Sequence, residues 1–242
     1  MTPNIRYINH HSGKWLLLSL LLFFAAGTAN GQTDLEEHTD SIEATDSANV
    51  RKILFLGDSM TGWMAERLNA YGAINDFEVA TIVWDGSTIA KWANSPRLKE
   101  IISQQKPDAI IVSLGMNEML ERNPQRRLEK PVDKLLAEFG DMPLLWIGPP
   151  SWPWQKDADE FNDWMQQTLG KKRYFNSNDL EIRRQSKSNP HPSRDGIEEW
   201  IDNVAEWMPG NSELSIDSLA KPDPGKFSRG KTFVYRRMKE KL

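Results

Sequence analysis

Four residues in this sequence have the types and the order that acyl chemistry requires. Ser59 stands in KILFLGDSMTGW, where an apolar run, Ile53 to Leu56, stops at Gly57-Asp58-Ser59. A serine hydroxyl attacks at neutral pH only with a general base beside it. Of the four histidines, His10 and His11 lie in an amino-terminal leader and His38 in an acidic spacer, so His191 is the histidine left to a folded domain. It lies in SNPHPSRDG, read as a loop directly before a helix. Gly86, in WDGST, lets a backbone N–H approach a ligand closely. Asn117, in SLGMNEM, brings a side-chain amide. With the Ser59 N–H these two donors would form an oxyanion hole, in which each donor is worth a factor of ~10²–10³. Each of the four, taken alone, also reads as a turn or surface residue. Their order after successive apolar runs is what favours chemistry. One histidine in the domain and no cysteine in the chain argue against a His-rich or thiolate metal site, leaving only an all-carboxylate site open. No metal or organic cofactor is expected.

The elements that must position these residues follow an alternating rhythm. KILFLG, FEVATIVW from Phe77, DAIIVSLG from Asp108 and PLLWIGPP from Pro143 are short apolar runs without polar alternation, the pattern of parallel strands covered on both faces. A fifth strand is placed near Arg173 to Phe175. Helical spacings lie between them: Met64, Leu68 and Tyr71; Leu98, Ile101 and Ile102; Val132, Leu135, Leu136 and Phe139, with Pro131 near that helix's start; Phe161, Trp164 and Met165. Ile197, Trp200, Ile201 and Val204 mark a last helix, capped by Ser193 with Asp195 in its first turn. The spacing predicts an α/β fold, a doubly wound, mostly parallel sheet over residues 51–210. Such sheets bind ligands beyond the carboxyl ends of their strands, and Ser59, Gly86 and Asn117 each follow a strand.

The ends read differently. Arg6 and Lys14 precede an apolar run from Trp15 to Ala26, followed by GTANGQ. Residues 1–31 therefore read as a signal peptide cut after Ala29 or Gly31, with an uncleaved anchor as the alternative. An exported protein, periplasmic or extracellular, is expected. Residues 32–50 hold six Asp or Glu and no Lys or Arg, the composition of a disordered acidic linker. Residues 211–242 read as a basic, flexible tail, or as a basic arm for an acidic polymer or membrane surface. The formal net charge of −4 gives no global field for nucleic acid.

The blocks Gly57-Asp58-Ser59-Met60, Gly86, Gly115-Met116-Asn117-Glu118 and His191 together resemble the SGNH hydrolases, also called the GDSL esterase/lipase family. The resemblance spans residues 57–191. It implies a flavodoxin-like α/β/α sandwich, Ser59 as nucleophile and His191 as base. It further implies an oxyanion hole from the Ser59 and Gly86 amides and the Asn117 side chain. Met60 replaces the usual Leu and Glu118 a common Asp. A larger departure is Ser188, three residues before the histidine, where the family places an Asp. A carboxylate there can be worth a factor on the order of 10⁴ in turnover. Three readings follow: a backbone carbonyl orients His191, another carboxylate such as Asp179 or Asp195 does, or catalysis is lost and binding retained. The resemblance implies an exported serine esterase removing an acyl group, foremost acetyl, from a carbohydrate or cell-envelope polymer. The alternatives are a non-catalytic carbohydrate-binding or scaffold protein and an O-acyltransferase. Trp152 and Trp154, in GPPSWPWQ after the fourth strand, read either as a sugar-stacking platform or as packing over the sheet end.

Overall fold

The computed structural model describes residues 50–151, 159–187, 189–214 and 216–235. The leader, nearly all of the acidic linker, Trp152, Trp154 and Ser188 lie outside these residues. The main sheet has the order β5-β4-β3-β1-β2-β8, and all of its pairings are parallel. Its strands are β1 (Lys52–Gly57), β2 (Glu78–Trp84), β3 (Ala109–Ser113), β4 (Leu144–Ile147), β5 (Tyr174–Phe175) and β8 (Lys231–Tyr235). A separate hairpin pairs β6 (Arg184–Ser186) with β7 (Asn189–Pro192). The connecting helices are α1 (Thr61–Asn75), α2 (Ile89–Ala93), α3 (Arg97–Gln105), α4 (Pro124–Phe139), α5 (Asp159–Leu169) and α6 (Arg194–Asn211).

The apolar runs become strands because both sheet faces are covered. Ile53, Leu54, Phe55 and Leu56 of β1, and Ile110, Ile111 and Val112 of β3, are fully buried. Helix α1 packs on α6, while α2 packs on α4 and α4 on α5. Right-handed crossovers put those two groups on opposite faces of the sheet, giving the expected doubly wound α/β sandwich. Among the described residues no helix is long and apolar enough to cross a membrane.

Three expectations change. The part of 211–242 that the structure describes is not a free tail: it ends in β8, which pairs with β2 from Ala80 to Trp84. The segment that leads to this strand is held by a buried cation. Arg67 of α1 donates from Nη1 to the Asp223 and Lys226 carbonyls at 3.0 and 2.8 Å, and from Nη2 to the Pro222 carbonyl at 3.3 Å. Helix α4 starts at Pro124 behind the Asn123 cap, so Pro131 lies in its interior rather than near its start. The strong apolar stripe of Leu128, Val132, Leu135 and Phe139 tolerates the one missing N–H. His191 lies on strand β7, not in a loop, because the 184–192 segment folds back on itself.

Arg67 also grips Asp202 of α6 with both ends of its fork, Nε to Oδ1 at 2.8 Å and Nη2 to Oδ2 at 3.0 Å. The Tyr71 hydroxyl adds a third bond to Asp202, at 2.9 Å, and Lys221 Nζ lies 3.0 Å away. Burial alone would raise the Asp202 pKa. Hydrogen bonds from Arg67, Lys221 and Tyr71 outweigh it and hold the carboxyl below the ordinary range. Asp202→Ala leaves a buried guanidinium without its two-pronged partner, with Glu198 at 3.5 Å as the remaining carboxylate. It should cost about 3–5 kcal/mol, read as a lowered midpoint of urea unfolding.

Candidate active site

Strand β1 ends against β3 so closely that only glycine fits at its last position. A Cβ on Gly57 would lie 2.2 Å from the Ser113 carbonyl oxygen and 2.1 Å from Thr61 Oγ1. The chain then turns sharply. Thr61 N–H donates to the Asp58 carbonyl at 3.1 Å, and Met60 N–H donates to Asp58 Oδ1 at 2.9 Å. Ser59 sits on this turn, two residues before α1, and its N–H has no acceptor among the described residues.

Gly86 lies on the turn after β2, with φ +65°, a left-handed conformation that suits glycine. Its N–H is also without an acceptor among the described residues. Its carbonyl accepts from Lys91 Nζ at 2.9 Å. Two residues of the third block hold this turn. Asn117 Nδ2 donates to the Ser87 carbonyl at 2.7 Å, and Glu118 Oε1 accepts the Ile89 N–H.

His191 arrives from the other end of the chain. Its Nε2 lies 3.0 Å from Ser59 Oγ, and its Nδ1 lies 2.8 Å from Asn189 Oδ1. The group on the far ring nitrogen is thus a side-chain amide, neither a backbone carbonyl nor Asp179 or Asp195. Asp195 instead pairs with Arg183 at 2.6 Å. The Asn189 oxygen also accepts the His191 backbone N–H at 3.1 Å, a two-residue turn closed by the side chain. Asn189 Nδ2 donates to Gln185 Oε1 at 2.8 Å, and Gln185 Nε2 donates to the Pro192 carbonyl at 3.3 Å. This chain of amides presents an oxygen to Nδ1. The imidazole then has its proton on Nδ1, and Nε2 can accept from the Ser59 hydroxyl.

Of the residues singled out in the sequence, Ser59, Gly86 and His191 line one cavity of about 540 Å³. Asn117 adjoins it through its bonds. Its second N–H points to Asp58 Oδ2 at 3.3 Å, the weaker of the two and the one an oxyanion could take over. The cavity has three further polar or aromatic lining residues that sequence reasoning missed: Trp63, Asp85 and Gln185. Asn189 was missed as well, although Asn two residues before a histidine is a local turn signal that could have found it. Among the described residues no three His, Asp or Glu side chains gather as a cation site.

Two carboxyls are buried beside the cavity. Burial raises the Asp58 pKa to about 7 against the pull of the Met60 N–H, and the nearby Asp85 charge adds to the rise. Burial likewise raises Glu118 to about 7, opposed by the Ile89 N–H and reinforced by the charges of Asp58 and Glu121. Glu118 Oε2 has no hydrogen-bond partner among the described residues.

No protein-family profile and no curated protein matches the sequence. Solved structures do. The psychrotrophic esterase EstA from Pseudoalteromonas sp., solved inhibited by monoethylphosphonate, is 17% identical with a TM-score of 0.51, over 64% of this chain and 95% of that one. A family 3 carbohydrate esterase from Clostridium thermocellum is 16% identical with a TM-score of 0.49, over 64% and 94%. AlinE4, an SGNH-hydrolase family esterase, is 20% identical with a TM-score of 0.45, over 66% and 98%. At such identity the likeness is one of architecture: the chain has the α/β fold of the SGNH hydrolases.

A carboxyl whose pKa is raised by folding binds its proton more tightly in the native state. Its share of stability is therefore full below the unfolded pKa of ~4.3 and is lost as pH rises toward about 7. Glu118→Gln keeps an acceptor for Ile89 and removes the titration. Between pH 5 and pH 8 the variant should gain on the wild type by on the order of 2 kcal/mol, read from urea unfolding at each pH.

Proposed function

We propose that this chain is an exported serine esterase that removes an acyl group, foremost acetyl, from a carbohydrate or cell-envelope polymer. The observation that supports this most is the 3.0 Å contact between Ser59 Oγ and His191 Nε2, with the other ring nitrogen held by Asn189. In the reaction, Ser59 Oγ bonds to the ester carbonyl carbon as His191 Nε2 takes the hydroxyl proton. The carbonyl oxygen becomes an oxyanion facing the Ser59 and Gly86 N–H groups, with the Asn117 amide as a third donor. The C–O bond to the leaving alcohol breaks as His191 returns the proton to it. Water then repeats the sequence on the acyl-enzyme, releasing the carboxylic acid and restoring the serine. Export rests on the leader at residues 1–31.

Asn189 acts here as a positioning residue. It fixes the tautomer without bringing a charge to the imidazolium.

Treating the full chain with a fluorophosphonate probe and with 4-nitrophenyl acetate tests the reading. Wild type should label and turn over, and both Ser59→Ala and His191→Ala should lose turnover by about 10³-fold or more. Activity surviving both substitutions would refute the assignment. A wild type that neither labels nor turns over would move the reading to a saccharide-binding protein.

Asn189→Ala should lower kcat by about 10²–10⁴-fold. Asn189→Asp should retain activity and move the acidic limb of the kcat/KM pH profile to higher pH, because a carboxylate favours the imidazolium. An unmoved profile would mean that Asn189 does not act through the ring.

A further inference from the structure

Trp63 is out of place for a core residue. The stripe that α1 buries runs through Met64, Ala65 and Leu68, yet Trp63, one residue away and four after Ser59, is 48% exposed. Its indole makes no hydrogen bond or ring contact among the described residues. It lines the same cavity as Ser59 and His191.

Polar groups share the cavity with the indole. Asp85, which has no ion-pair partner among the described residues, and the Gln185 amide line the cavity with it. The apolar part of the lining is Met60, Pro192 and Ile197. A pyranose ring has a matching division: C–H groups on one face, hydroxyls around its edge. The volume of about 540 Å³ falls within the ~300–1,000 Å³ usual for small-molecule sites.

We propose that Trp63 is the stacking platform for the sugar ring of an acylated pyranoside, with Asp85 and Gln185 accepting and donating hydrogen bonds to its hydroxyls. The inference rests on the esterase reading for the reaction but not for the binding. It gives the substrate-recognition role to Trp63, a residue of the nucleophile's own helix. The ring would be held within one helical turn of the attacking oxygen, so that the ester on its edge meets Ser59.

The test compares Trp63→Ala and Trp63→Phe with wild type on two substrates, 4-nitrophenyl acetate and acetylated xylo-oligosaccharides, with melting curves to check folding. Trp63→Ala should lose about ten- to hundredfold more kcat/KM on the saccharide than on the aryl ester, and Trp63→Phe should recover part of that difference. Equal losses on both substrates, or no loss on the saccharide, would overturn the proposal. So would a wild type that cleaves the aryl ester and ignores the saccharide, which leaves the esterase reading standing. If wild type cleaves neither, the esterase reading fails, and calorimetric titration with the same saccharides decides the platform alone. Binding lost in Trp63→Ala upholds it, and absence of wild-type binding overturns it.

Discussion

The buried pair of Arg67 and Asp202 is the constraint on which the rest of this molecule depends. Ser59 and His191 are 132 residues apart and sit on unrelated elements, a strand-end turn and a hairpin. Each is followed at once by a helix, α1 and α6. Arg67 lies two turns into the first helix, and Asp202 more than two turns into the second. The two-pronged contact at 2.8 and 3.0 Å therefore fixes how the helices lie against each other, and with them the two groups at their amino-terminal ends. An error of 1 Å in such a pairing is enough to cost ~10²-fold in a reaction. A guanidinium with no exposure to water also demands more acceptors than one carboxylate supplies. The carbonyls of residues 222, 223 and 226 meet that demand, and the chain end is drawn into the fold as a result.

The environment around His191 divides by charge. On the base side the ring's hydrogen-bond partners among the described residues are neutral, the Ser59 hydroxyl and the Asn189 amide, which Gln185 holds in turn. On the oxyanion side lie two buried carboxyls, both raised to about 7. Neutral, they leave the developing negative charge unopposed; ionised, they would repel it. The burial that raises their pKa values is thus compatible with oxyanion stabilisation by the neighbouring N–H groups.

Much of this was legible in the sequence for identifiable reasons. The first four strands are apolar without alternation, and that pattern has few readings at their length. Ser59 and His191 stood out because histidine is scarce and because both residues flank strong helix signals, including the Ser193 cap seen in the structure at 3.1 Å. Asn189 offered only its local turn signal, because the rest of its role depends on the β6–β7 hairpin, whose residues Arg184, Gln185 and Ser186 carry no strand pattern. The family habit of an Asp at the position of Ser188 drew the search one residue away. Trp63 was hidden by number: with ten tryptophans, the two beside prolines after β4 drew the sugar-platform reading. Strand β8 was concealed by its surroundings, a short run in a segment rich in Lys, Arg, Gly and Pro, and nothing local to it announces that Arg67 will anchor the residues before it.

That last strand bears on where the domain can safely be shortened. Composition places a boundary near residue 210, and a chain trimmed there would lose β8 along with three of Arg67's acceptors. The edge of β2 would then lie open along EVATIVW, six of whose seven residues are buried in the intact fold. An uncovered, β-branched, apolar edge is a template for pairing with another copy of itself. What looks like dispensable sequence covers the edge of β2, and losing β8 would leave that edge prone to self-association.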